Sequence, residues 1–334
     1  MEKISGTTAG RARIGRRGAL AALGGLLTAA PALAQDFPTR PIRLIVPWAP
    51  GALVDNTARI LADTARPFLG QPIIVENKPG ASGTIAAAEV ARSTPDGYTL
   101  LVANASQMTI APLVQRNLPF NPTTDLVPVI QLAEEYEMLV GNKNLPANTL
   151  QELVAYLRAR PGEVNFSSAG VGSVTHLLGE MFRIQANVDI VHIPFRGAAP
   201  AVQGVLSGDV SLTFASVSST RALAASGQLK IYGISASRRS RWLPEVPTLQ
   251  EGGVPGVVVP FWVGLVAPAR TPAPVLAALR NGLNRALHAS EVLARFEQIG
   301  IEVTPAGSEE FAAMMTEEAA RWRALLANPR VSLQ

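Results

Sequence analysis

Two segments of this sequence carry the residue types that can grip an anion without a basic side chain. Pro47-Trp48-Ala49-Pro50-Gly51-Ala52-Leu53-Val54 leaves a compact apolar run and feeds a helical pattern that starts near Asp55. Ser167-Ser168-Ala169-Gly170-Val171-Gly172-Ser173 stands between a second apolar run and a second helical pattern. The start of a helix exposes N–H groups without intrahelical partners and a partial positive charge, so it can hold a carboxylate directly. Small residues let the backbone approach the anion, and serine hydroxyls add donors. Asp55 is placed as the N-cap of the first helix. Trp48, at the loop tip, is either a wall of the site or core packing. Gly170 and Gly172 begin a G-x-G pattern, but Thr175 occupies the third glycine position and no acidic residue follows where a ribose would need one. A dinucleotide loop is therefore disfavoured. Asn104-Ala105-Ser106-Gln107 and Ala215-Ser216-Val217-Ser218 follow further apolar runs. They offer amide and hydroxyl groups, either to a ligand or as plain turns.

Side-chain sets for covalent or metal chemistry are missing. The chain has no cysteine, and its three histidines, His176, His192 and His288, form no His-x-x-x-His pair. It contains no G-x-S-x-G elbow and no phosphate-binding G-x-x-x-x-G-K-[ST] loop. His176 falls in the first turn after the glycine loop and reads as a structural histidine. Glu134, Glu135 and Glu137 read as a solvated rim, and Arg238, Arg239 and Arg241 as surface charges. An exported hydrolase or dehydrogenase would need a nucleophile–base pair or a cofactor loop. Neither is visible, so a binding protein without a cofactor is the favoured reading.

The elements that must position these loops alternate along the chain. Strands are expected at Ile42–Val46, Ile73–Glu76 and Thr99–Ala103, with helices over Asp55–Phe68 and Thr84–Arg92 between them. The alternation resumes with a capping box at Thr149-Leu150-Gln151-Glu152, which opens a helix to about Arg160. Strands Val164–Ser167, Asp189–Ile193, Val210–Phe214 and Lys230–Ile234 follow. Helices Val174–Ile184, Pro200–Ser207 and one from about Ser219 separate them. From Pro272 the chain reads as helical, with Val275–Ala289 and Ser308–Ala327. Val127–Asn142 and Gly253–Ala267 are strand-like without crossover helices and are read as passing between two lobes. This is an α/β pattern of parallel sheets flanked by helices, in which ligands bind beyond the carboxyl ends of the strands.

The N-terminus carries Arg11, Arg13, Arg16 and Arg17, an apolar stretch over Gly18–Ala30 and a small-residue box at Ala32-Leu33-Ala34. It is read as a cleavable secretory signal over 1–34, of Sec or twin-arginine type. The signal holds five of the 29 basic residues and one of the 25 acidic ones, which leaves 24 of each after its removal. A neutral mature chain offers no basic face for nucleic acid.

In their order along the chain, several motifs resemble one family. They are Pro41-Ile42-Arg43-Leu44-Ile45-Val46-Pro47-Trp48-Ala49-Pro50-Gly51 with Asp55, Val75-Glu76-Asn77-Lys78-Pro79-Gly80-Ala81, and Pro95-Asp96-Gly97-Tyr98-Thr99-Leu100-Leu101. Then come the glycine loop with His176, His192-Ile193-Pro194-Phe195-Arg196-Gly197, Leu243-Pro244-Glu245-Val246-Pro247-Thr248, and Trp262-Val263-Gly264-Leu265. Together they resemble the Bug-type receptors, the extracytoplasmic solute receptors of tripartite tricarboxylate transporters. The resemblance implies a two-lobed periplasmic-binding-protein fold (type II, Venus-flytrap), each lobe a mostly parallel sheet flanked by helices. Lobe 1 is expected over 36–137 plus 262–334, and lobe 2 over 138–261. It also implies a monomeric periplasmic protein that captures a small carboxylate and delivers it to the transporter's membrane subunits. A receptor that signals to a sensor kinase is the alternative.

The ligand-binding residues expected are Pro47, Trp48, Ala49, Pro50, Gly51, Ala52, Asp55, Ser106, Ala169, Gly170, Gly172, Ser173, His176, Phe195, Gly197 and Ser216. Three positions depart from the family pattern. Ala52 stands where a second glycine is usual; if that position needs φ > 0, alanine costs roughly 1 kcal/mol there. Ala215 stands where many members carry Asp, and Arg270 replaces a glycine. Without that Asp no acid is evident for an α-ammonium group. The expected ligand is therefore a mono- or dicarboxylate with a neutral, possibly aromatic, body.

Overall fold

The structure, a computed structural model, describes Gly6, residues 37–51 and residues 53–333. Apart from Gly6, the expected signal segment lies outside the described residues, as does Ala52.

The first half of the chain builds β1 (Ile42–Val46), α1 (Leu53–Thr64), α2 (Arg66–Leu69), β2 (Ile73–Asn77), α3 (Thr84–Ala91) and β3 (Thr99–Ala103). Strands β2, β1 and β3 pair in parallel in that order. The expected helix over Asp55–Phe68 is two pieces, because Pro67 has no N–H to continue α1 and instead sits early in α2. After β3 the chain does not loop freely. Ser106–Ile110 forms a π-helical turn that runs into α4 (Ala111–Val114).

Strand β4 (Leu126–Asn142) is 17 residues long and joins two sheets. The second half adds α5 (Leu150–Arg158), β5 (Asn165–Ser168), α6 (Val174–Gln185), β6 (Val191–Pro194), α7 (Ala198–Ser207), β7 (Leu212–Ser216), α8 (Val217–Ala225) and β8 (Leu229–Ile234). The capping box is present. Thr149 Oγ1 accepts from Glu152 N–H at 3.2 Å, and the Glu152 carboxylate reaches back to Asn148 N–H at 2.7 Å. Strands β6, β5 and β7 pair in parallel. β7 and β8 pair antiparallel to the end of β4.

β9 (Pro260–Pro268) returns to the first sheet between β3 and β4, antiparallel to both. The expected crossing strand from Gly253 is thus shorter, starting at Pro260. The region after Pro272 is not wholly helical. Between α9 (Ala273–Leu287) and α11 (Ser308–Leu326) lie α10 (Ser290–Gln298) and β10 (Glu302–Ala306), and β10 pairs with β4. β4 changes partners between Tyr136, opposite Pro260 of β9, and Glu137, opposite Ser216 of β7.

Successive residues of the central strands enter different cores, so both faces of the sheets are covered. Leu44, Val46, Leu61, Val102, Leu265 and Phe296 centre the core of the first sheet. Met138, Val140, Val205 and Val217 lie under α7 and α8 on the second. A third cluster, including Leu101, Trp262, Phe311, Phe182 and Phe214, continues from one sheet to the other. The C-terminal tail ties the two further. Ser332 N–H donates to the buried Glu180 of α6 at 2.7 Å, and Arg183 donates to the Arg330 carbonyl. Among the described residues no helix is long and apolar enough to cross a membrane.

Candidate functional site

The loop after β1 is held from behind. Asn77 Nδ2 donates to the Trp48 carbonyl at 2.9 Å and to Asp55 Oδ1 at 2.8 Å. Asp55 Oδ2 accepts from Gly51 N–H at 3.0 Å and from Arg59 Nε at 2.8 Å. Asp55 is therefore not the N-cap. It is the third residue of α1, buried, and it knots the loop to the helix and to β2. Burial pushes its pKa up, but the bonds from Arg59, Asn77 and Gly51 outweigh it and leave the carboxyl below its ordinary range. Gly51, at φ +98°, occupies a backbone region that favours glycine.

The glycine loop after β5 has a comparable support. Ala169 N–H donates to Thr175 Oγ1 at 2.9 Å, and Gly172 N–H donates to His176 Nδ1 at 3.1 Å. Ser173 caps α6 by accepting His176 N–H at 3.2 Å. Because Nδ1 accepts, the His176 proton sits on Nε2, which is buried without a hydrogen-bond partner among the described residues. The ring stacks on His192 at 3.9 Å. Burial, with His192 alongside, pushes its pKa down to about 3. His176 is thus a neutral support of the loop.

These loops meet at one pocket of about 390 Å³, mouth included. Four helix starts line it: Leu53 and Val54 open α1, Val174 and Thr175 open α6, Ala198 opens α7, and Ser216 precedes α8. Trp48, Ala169 and Phe261 form apolar walls, and Ser106 and Ser173 add hydroxyls. The two sheets are bridged here, by Val174 N–H on Ser106 Oγ at 3.3 Å and by Ser82 Oγ on the Val171 carbonyl at 2.7 Å. Trp48 and Ala169 also border an outer cleft with Gly170 and Phe195.

Of the residues expected from sequence, Trp48, Ser106, Ala169, Ser173 and Ser216 line the pocket, and Gly170 and Phe195 the outer cleft. Pro47, Ala49, Pro50, Gly51, Asp55, Gly172 and His176 line neither; they shape or brace the two loops. Gly197, at φ +124°, is the residue before α7 rather than a wall. No loop separates β7 from α8, so Ser216 passes directly from strand to helix.

The glutamates of β4 correct the solvated-rim reading. Glu135 and Glu137 are 4 % and 3 % exposed. Glu135 accepts Ser218 N–H at 2.6 Å and Ser218 Oγ at 3.0 Å, closing the start of α8. Burial raises its pKa well above the ordinary value despite those bonds. Glu137 is the one ionisable side chain on the pocket wall, so the pocket does contain an acid. Burial raises its pKa to about 8. Burial thus favours the protonated form of Glu137, and the carboxylate in the first turn of α1, Asp55, is paired with Arg59. Glu137 Oε2 and Trp48 Nε1 are both buried without a partner among the described residues. Among the described residues no group of three or more His, Asp or Glu side chains could hold a metal ion.

Residues 57–330 match the model of the tripartite tricarboxylate transporter family receptor. Protein BugT of Bordetella pertussis is 36 % identical over 295 residues, 88 % of this chain and 90 % of BugT. The solved periplasmic binding protein BugD superposes with a TM-score of 0.84 at 33 % identity, covering 89 % of this chain and 99 % of BugD. MatC from Rhodopseudomonas palustris, solved with bound malate, superposes with a TM-score of 0.82 at 34 % identity, covering 87 % of this chain and all of MatC (100 %). The architecture is the two-lobed α/β fold of periplasmic binding proteins.

Proposed function

Because this chain belongs to the tripartite tricarboxylate transporter family of receptors, we propose that it is a periplasmic receptor for a small organic carboxylate, which it delivers to the transporter's membrane subunits. One observation carries the ligand class: residues at the starts of four helices line one pocket. The starts of α1 and α7 supply N–H groups without intrahelical partners and a partial positive charge for the carboxylate, while Glu135 closes the start of α8 and Ser106 and Ser173 take N–H groups of α6. Trp48 Nε1 supplies a further donor, and Trp48 and Phe261 flank the ligand body. The malate in MatC supports the same class.

In this reading residues 36–137 with 262–334 form one lobe and 138–261 the other, and the ligand is held where they meet. The protein works as an exported monomer after loss of residues 1–34 and performs no chemistry on its ligand. The test is thermal melting of the mature chain against carboxylates, amino acids, sugars and nicotinamide cofactors. A ligand at about 100 times its Kd adds about 2.7 kcal/mol to a folded state that alone binds it. A raised Tm with carboxylates, and recovery of the acid unchanged, is the expected result. A shift with a nicotinamide cofactor only, or turnover of the acid, would overturn the proposal.

A further inference from the structure

The helix starts account for one end of a ligand and leave Glu137 unexplained. It lies where β4 changes sheets, opposite Ser216 of β7, and its Oε2 has no partner among the described residues. The pocket walls around it are uncharged: Leu53 and Val54 from α1, Val174 and Thr175 from α6, Ala198 from α7, Phe261 from β9. β8 brings Ile234 and Ser235 beside the strand. The nearest ionisable groups are engaged elsewhere. Glu135, two residues back on β4, is bound to Ser218 of α8, and its repulsion from Glu137 further disfavours a charge on both. Asp55 of α1 is turned to Gly51, Arg59 and Asn77. His176 of α6 is neutral, and Arg221 of α8 donates to the Gln298 carbonyl.

A buried carboxylate with no cation against it is costly, whereas a neutral carboxyl both donates and accepts. Building on the receptor reading above, we infer that Glu137 stands as the neutral acid and selects the ligand, donating its proton to a second oxygen acceptor on the ligand body. The site then favours acids bearing a further carboxylate, hydroxyl or carbonyl oxygen over plain monocarboxylic acids. The bound anion also holds the proton on Glu137, so binding takes up a proton wherever the free protein has lost it.

The test is calorimetric titration of the mature protein with succinate against butyrate, adipate against hexanoate, and terephthalate against benzoate. For the pair that fits, the dicarboxylate should bind about tenfold tighter or more, the range of a charge-assisted hydrogen bond. Its affinity should be flat below the Glu137 pKa of about 8 and fall about tenfold per pH unit above it. Near pH 9, buffers of unlike ionisation heat should report uptake of about one proton. Glu137→Gln should keep the preference and lose the pH dependence; Glu137→Leu should lose the preference. The wild-type proton count stands even if either variant folds poorly. Equal affinity within every pair, or no proton uptake, would overturn the inference and leave the receptor reading in place. Aspartate binding tighter than succinate, and tightening with pH, would also overturn it, making Glu137 an ionised partner for an ammonium. Binding of no acid at all would remove both readings.

Discussion

Replacing Asp55 with alanine separates a helix cap from a network. A lost N-cap costs about 1 kcal/mol. Asp55 instead accepts from Gly51 N–H, Asn77 Nδ2 and Arg59 Nε, and it is 1 % exposed. Alanine takes the acceptor from Gly51 N–H and from one Nδ2 hydrogen of Asn77, whose other bond to the Trp48 carbonyl remains. Gly51 is exposed and its N–H turns to water, so the main cost is the half-buried Asn77 amide, about 1–3 kcal/mol. The Arg59 side chain is 49 % exposed, so its share stays below about 1 kcal/mol after solvent screening. The expected loss for Asp55→Ala is therefore about 1.5–3 kcal/mol, against less than about 1 kcal/mol for Arg59→Ala. Urea denaturation of both variants at pH 7 measures this directly. Affinity for the acid found by melting should fall about tenfold with Asp55→Ala, because the loop must then be ordered on binding. A loss of about 1 kcal/mol or less, or equal losses for the two variants, would refute the network.

Four further outcomes follow. His176 has a folded pKa near 3 and an unfolded one of 6.5, so the unfolded chain binds the proton first. Stability should fall as pH drops from 6.5 towards 3, and His176→Gln should flatten that limb in a melting series. Glu137 runs the opposite way: its pKa rises on folding from 4.5 to about 8, so stability declines as pH rises through that interval. Glu137→Gln should raise the ligand-free Tm at pH 8. Gly172→Ala meets Val114 Cγ2 at 2.9 Å with φ +73° and should cost about 2–3 kcal/mol by denaturation. Ending the chain at Ala327 removes the tail's bonds to Glu180 and Arg183; acid release, followed by tryptophan fluorescence, should speed up about three- to tenfold.

The parallel strands and their helices were legible because each apolar run is short, ends in a turn signal and alternates with a helical period. The two anion loops were legible for the same reason: proline, glycine and serine cluster at strand-to-helix junctions. Short elements near the C-terminus were not. β10 has the sequence Glu302–Ala306 with a proline inside and pairs only with β4, so its partner, not its own pattern, makes it a strand. Asp55 looked like a cap because a cap and a first-turn acid differ by only three residues, and the bonds to Asn77 and Arg59 distinguish them. Glu135 and Glu137 were misplaced because charge argued for solvent, while their burial is decided by α8 and by the pocket. Ser216 was legible as a hydroxyl after an apolar run, but Ala198 joined it only when folding brought the start of α7 beside Leu53 and Val174.

The partner change within β4 also has a mechanical meaning. The chain passes from one sheet to the other with ladder bonds on either side of the Tyr136–Glu137 junction, and β9 runs beside it to Pro260. No slack linker lies there to act as a free pivot. Any change in the angle between the sheets must be spread as twist over several paired residues, so the resistance rises with angle like that of a torsion spring. The strain of any such change is shared along β4 and β9, and Glu137 lies in the segment that bears it.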